Sequence, residues 1–126
     1  MALETREGQG KEDRLGSEEE AGTPMKTKLG AFSFEVTGKV QRVFFRESMK
    51  EKAESLRIVG WCANTWSQSV VGEVQGNLQA LEQMKHWLRF VGSKESRVDK
   101  LLTTNEISDL AQLTKSAFTI EPPVFK

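Results

Sequence analysis

The chain carries one cysteine and one histidine in 126 residues, and each scarcity excludes a class of chemistry. A lone cysteine, Cys62, rules out an internal disulfide framework and fits a reducing compartment, where a small thiol packs as an ordinary buried hydrophobe. A lone histidine, His86, with no second histidine or cysteine at ligand spacing, offers no metal site. Charge of one sign is also missing: 18 Lys and Arg balance 18 Asp and Glu, so no overall field draws in nucleic acid or an acidic membrane. No run approaches the ~20 apolar residues of a membrane span, and the stretch after Met1 has neither the apolar core of a signal peptide nor a lipidation motif. The expectation is a cytoplasmic protein with no stable membrane association, no nucleic-acid partner, no cofactor and no metal. Without an obvious sticky patch, a monomer is expected.

What is present is unevenly distributed. Residues 1–28 hold Glu18-Glu19-Glu20, several glycines and no aromatic residue. Too little apolar surface is available there to offset chain entropy, so this segment is expected to be a disordered tail, leaving 29–126 as one domain. The first 30 residues carry net −2 and the remainder net +2, too slight an asymmetry to imply a charged partner.

Within 29–126 the hydrophobic period changes several times. Phe32, Phe34, Val36 and Val40 lie an even number apart, as on a half-buried strand. From Phe45 the apolar spacing becomes three or four, through Met49, Ala53 and Leu56, with Glu47, Lys50, Glu51, Lys52 and Glu54 outside: an amphipathic helix with a solvated charged face. Ile58 to Asn64 reads as a short strand, Ser67-Gln68 as a turn, and Ser69 to Gln75 as its hairpin partner. Asn77 is the expected cap of a second helix with Leu81, Met84, Trp87, Leu88 and Val91 inside, ended by Gly92. Arg97 to Thr104 forms a fourth strand with Val98 and Leu102 facing one way, and Ser116 to Ile120 a further edge strand stopped by Pro122-Pro123. Ile107, Leu110 and Leu113 fit either a helical turn or a loop. The order β-α-β-β-α-β predicts an α+β, ferredoxin-like split βαβ sandwich: an antiparallel sheet of four to five strands with two helices on one face.

The segment Gly38-Lys39-Val40-Gln41-Arg42-Val43-Phe44-Phe45-Arg46 joins the first strand to the first helix. A helix N-terminus has N–H groups without internal partners, which makes it an anion site, and an arginine adds a planar fork of donors matched to phosphate. Gly60-Trp61-Cys62-Ala63-Asn64-Thr65 then places an uncharged amide near the end of the second strand. Read alone, Arg46 would more often be a solvated helix residue and Asn64 a turn former. Trp61, Trp66 and Trp87 fit core or rim packing. Glu51 and Glu54 lie beside lysines and away from the loop, so they form no catalytic acid pair. A P-loop signature is absent, and the basic, aromatic stretch from Lys39 to Arg46 lacks the glycine-aromatic pattern of RNA-binding strands.

These two segments resemble the signature of the acylphosphatases, Gly-x-Val-Gln-Gly-Val-x-Phe-Arg followed by Gly-Trp-Val-x-Asn-Thr. The resemblance continues through Val70 to Gly76, Met84 to Leu88, Gly92-Ser93 and Val98-Asp99-Lys100, covering about Phe32 to Ile120. It implies a small ferredoxin-like enzyme that hydrolyses the carboxyl-phosphate bond of acyl phosphates without metal or organic cofactor. It further implies that residues Val40, Gln41, Arg42, Val43, Phe44, Phe45 and Arg46 hold the phosphate, or a sulfate in its place. In the same way Arg46 acts as the catalytic guanidinium and Asn64 positions the attacking water. An acyl phosphate already has a good leaving group, so orientation and charge stabilisation suffice and the shortage of histidine is no objection. Three positions depart from the pattern. Arg42 replaces the second loop glycine, Gln68 replaces a hairpin glycine and Cys62 replaces a valine of similar volume. The first leaves an alternative, a catalytically weak or inactive phosphate-binding relative serving as a binding or regulatory module.

Overall fold

The computed structural model describes residues 28–126; the tail expected over 1–28 lies, but for Lys28, outside the described residues. Strand β1 (Leu29–Lys39) leads through the loop to helix α1 (Phe45–Ser55), then strands β2 (Val59–Asn64) and β3 (Val70–Asn77). Helix α2 (Leu78–His86) passes into a π-turn over Trp87–Val91 before strands β4 (Arg97–Leu110) and β5 (Phe118–Ile120). The sheet order is β4-β1-β3-β2-β5, the split βαβ arrangement. The expected antiparallel sheet is in fact mixed, because β5 runs parallel to β2, Gly60 opposite Phe118 and Cys62 opposite Ile120. Nor do the two prolines end pairing: Val124 N donates to Asn64 O at 2.9 Å, beyond them.

Alternation on β1 puts Phe32, Phe34 and Val36 on one face, where they meet Phe45, Met49 and Ala53 of α1 and Ala80, Leu81 and Met84 of α2. Val40 lies one residue past the strand but stays buried and anchors the loop. Full burial of a side chain such as Met49 or Met84 stabilises by about 1.5–3 kcal/mol. α2 is capped as expected, the Asn77 carboxamide oxygen accepting from Gln79 N at 2.8 Å. Gly92 N donates to Trp87 O at 2.9 Å, an i→i+5 closure that widens the last turn. That extra residue rotates Val91 off the inner face, where the 3.6 period placed it, leaving it 55 % exposed.

The largest departure lies in β4. Residues 105–110, compatible with a turn or a loop by period, continue the strand, with Ala31 opposite Ile107 and Leu29 opposite Leu110. Register shifts along the β1–β4 pair break the alternation that would have announced it. One shift, between Thr37 and Gly38, reverses parity within β4. Val98 and Leu101 therefore pack on the core, and Leu102, expected beside Val98, turns to the opposite face and is 49 % exposed. Gly38 makes this shift possible. Its φ is +125°, and a Cβ there would run into the Arg97 carbonyl and the Asp99 amide.

Candidate active site

Two backbone clamps and three buried side chains shape the loop between β1 and α1. Val40, Val43 and Phe45 point into the core, Phe45 packing on Trp87 with ring centroids 5.3 Å apart. Gln41 Nε2 donates to Thr65 O at 2.9 Å and to Ser69 O at 2.8 Å, tying the loop to the β2–β3 turn. On the other side Ser93 Oγ donates to Val43 O at 2.6 Å. Arg42 and Phe44 sit at φ +64° and +59°, in the left-handed region, flanking a Val43 that does not. Alternation of that kind turns successive N–H groups inward as a concave anion nest.

The donors of this nest are uncommitted. Among the described residues, no main-chain N–H from Gln41 to Glu47 donates to a carbonyl or a side chain, and the first bond of the series is Ser48 N to Phe44 O at 3.0 Å. The N-cap residue of α1 is Phe44, which has no side-chain acceptor, so the helix's orphan donors are left for something else, in contrast to α2. Arg46, on the first turn of α1, is half-buried beside them. Val40, Arg42, Phe44, Phe45, Arg46 and Glu47 line a cavity of about 150 Å³. A larger cleft, about 680 Å³, follows the β5 edge past Gly60, Trp61 and Lys115, but no arginine lines it.

Asn64 does not line the small cavity, yet it belongs to its surroundings. Gly60, Cys62 and Asn64 share the helix-facing side of β2, and Gln41 joins the loop to Thr65, the next residue. Among the described residues, Asn64 Oδ1 is buried and accepts no hydrogen bond. A buried acceptor left so costs about 1–3 kcal/mol, a cost that a bound donor would relieve. Cys62 lies within electrostatic range of Arg46. Burial pushes its thiol up to about 12 and Arg46 pulls it only slightly back, so it supplies no thiolate nucleophile near neutral pH.

Sequence reasoning brought the loop and Asn64 forward but missed the supports behind them. Ser69 Oγ donates to Glu35 Oε2 at 2.6 Å, and with its one proton spent there it accepts from Thr65 Oγ1 at 2.7 Å. This chain of polar side chains fixes the turn that Gln41 grips. The Ser69 bond, helped by Lys126 at 3.3 Å, holds the Glu35 carboxyl below its usual range against the opposing effect of burial. A depressed folded value contributes stability that is present above the unfolded pKa and lost as pH falls through the folded one. Glu35→Gln should therefore lower the melting temperature at neutral pH, the gap to the natural protein closing as pH falls through and below the ordinary carboxylate range. Thermal melts of the two proteins across that range check it. No sequence period marks Glu35, Ser69 or Ser93 as site supports, because each acts across the fold.

Known proteins are similar to this chain over most of its described length. A profile of the acylphosphatase family matches residues 32–120. Acylphosphatase-1 of Gallus gallus is 38% identical over 92 residues, which are 73% of this chain and 92% of the relative. Acylphosphatase-2 of Homo sapiens is 39% identical over 92 residues, with the same coverage of 73% and 92%. A solved acylphosphatase from Coxiella burnetii superposes with a TM-score of 0.65 at 30% identity, covering 75% of this chain and 94% of its own.

Proposed function

The chain belongs to the acylphosphatase family and hydrolyses acyl phosphates, and we propose that Arg46, the amides of residues 40–46 and Asn64 carry the reaction. In this reading the phosphoryl group enters the nest, its oxygens accepting from the loop amides and from the Arg46 guanidinium. Asn64 Oδ1 accepts from a water and aims its lone pair at phosphorus. The new O–P bond forms as the bond from phosphorus to the acyl oxygen breaks. The carboxylate leaves with the bonding pair, and the water's proton passes to a phosphoryl oxygen or to solvent. Carboxylate is a weak base and needs no protonation to depart, so no general acid is required. The work of the site is to hold the reactants in line and to meet the charge that spreads over the phosphoryl oxygens.

One observation carries this reading: a half-buried guanidinium and a run of uncommitted N–H donors line the same small cavity. A charge-assisted bond there is worth about 1.5–3 kcal/mol. Balanced charge and a single buried cysteine support a cytoplasmic enzyme, and among the described residues no helix is long and apolar enough to cross a membrane. Titrating the full chain with inorganic phosphate should shift the amide signals of residues 40–46 saturably. Shifts confined to other residues, or none at high concentration, would refute the site.

A further inference from the structure

We propose that Arg42 selects acyl phosphates whose acyl group carries a second anion, an inference that rests on the site just described. Arg42 keeps a left-handed backbone, φ +64°, that resists a side chain and suits glycine. Such a residue persists where something else makes use of it. It lines the same cavity as Arg46 but is exposed at the rim, whereas Arg46 is half-buried on the helix.

Some bases of this chain are paired, Arg97 forking onto Asp99 at 2.9 Å and Lys85 reaching Glu106 at 2.6 Å, but among the described residues Lys39 and Arg46, the bases next to Arg42 in sequence, form no ion pair. Among the described residues, Arg42 makes no ion pair or hydrogen bond, even with Glu47 on the same cavity. The phosphoryl group does not need it. Five N–H donors on Arg46 and the loop amides already match or exceed what three phosphoryl oxygens accept. A second planar fork at the rim has a carboxylate or a second phosphate as its natural partner. Phe44, 75 % exposed and lining the same cavity, gives the carbon stem of such an acyl group an apolar surface to cross between the two arginines.

Two isosteric substrates separate this role from phosphate binding: succinyl phosphate, with a terminal carboxylate, and 4-methylpentanoyl phosphate, with an isopropyl group in its place. The readout is the ratio of their kcat/KM values with the full chain. Arg42→Met should lower that ratio about fivefold to tenfold, the size of one charge-assisted bond partly screened by solvent, mainly through KM for succinyl phosphate. Arg42→Lys should restore part of it, because charge without the fork remains, and Arg42→Gly should not, although it relieves the backbone. Rising salt should erode the ratio in the natural enzyme and leave it flat in Arg42→Met. An unchanged ratio in Arg42→Met, or an equal loss on both substrates, overturns the inference. Arg46→Ala is the separate control. If it hydrolyses both substrates as the natural enzyme does, the underlying site is wrong and the inference falls with it.

Discussion

Arg46→Ala should lower kcat/KM for benzoyl phosphate by about 10²–10³-fold while the far-ultraviolet circular dichroism and melting temperature stay close to those of the natural protein. The magnitude follows from removing a preorganised donor aimed at developing charge, which costs about 2.7–4 kcal/mol in acyl-transfer enzymes. A half-buried guanidinium on a low-dielectric wall belongs in that range rather than in the 0–1 kcal/mol of an exposed ion pair. Stability should change little, since Arg46 forms no ion pair among the described residues and its neighbours Phe45 and Met49 carry the packing of α1. Arg46→Lys should recover only a small part of the rate, because a point charge cannot present two parallel N–H groups to a phosphoryl face. A variant that kept full activity would move the chemistry to another part of the molecule.

Where the sequence points to the proposed site, it does so because the residues concerned are local. The turn from β1 into α1 changes period from two to 3.6 at Phe45, and the change itself announces an uncapped helix start. Asn64 is one step along an alternation that Cys62 establishes, so its face was readable from the strand alone. The misreadings share a different cause. Leu102 lies beyond a register shift, Val91 beyond a widened helical turn, and residues 105–110 follow a strand whose bulges erase its period. Each is a one-residue insertion into a repeating pattern, and past such a step the parity of the sequence no longer maps onto a face. The supports of the site were hidden for a further reason. Gln41 reaches the turn 24 and 28 residues away, Ser93 reaches Val43 across 50, and Ser69 reaches Glu35 across 34. Only the folded sheet order brings these pairs together, so no local rule points to them. Gln41 is the instructive case. It stands inside the loop motif, where its amide belongs to the nest, yet its side chain faces away and anchors the hairpin.

Asn64→Ala should behave differently from Arg46→Ala, losing activity while gaining stability. Its Oδ1 is a buried acceptor with no partner among the described residues, so the folded state bears a desolvation cost of about 1–3 kcal/mol at this atom. Truncation to alanine removes the atom and the cost together, and alanine at the end of β2 gives up little packing, since Asn64 is only half-buried and outside the core cluster. Part of the gain is lost to the contacts of the shortened side chain. A net rise of roughly 1 kcal/mol corresponds to about 4–8 °C in Tm for a domain of this size. Over the same substitution kcat for benzoyl phosphate should drop about 10²-fold, the usual scale for losing the group that orients a reactant, with KM changing less because the phosphoryl contacts remain. Asn64→Asp sharpens the distinction. It keeps an acceptor for the water but brings a negative charge toward a dianionic substrate, so binding should weaken along with turnover. A residue retained for structure would show the reverse pattern, a lower melting temperature with activity lost only in proportion to unfolding. The opposed signs of the two effects are what the proposed role predicts, because in that reading the fold tolerates an unsatisfied atom for the sake of the reaction.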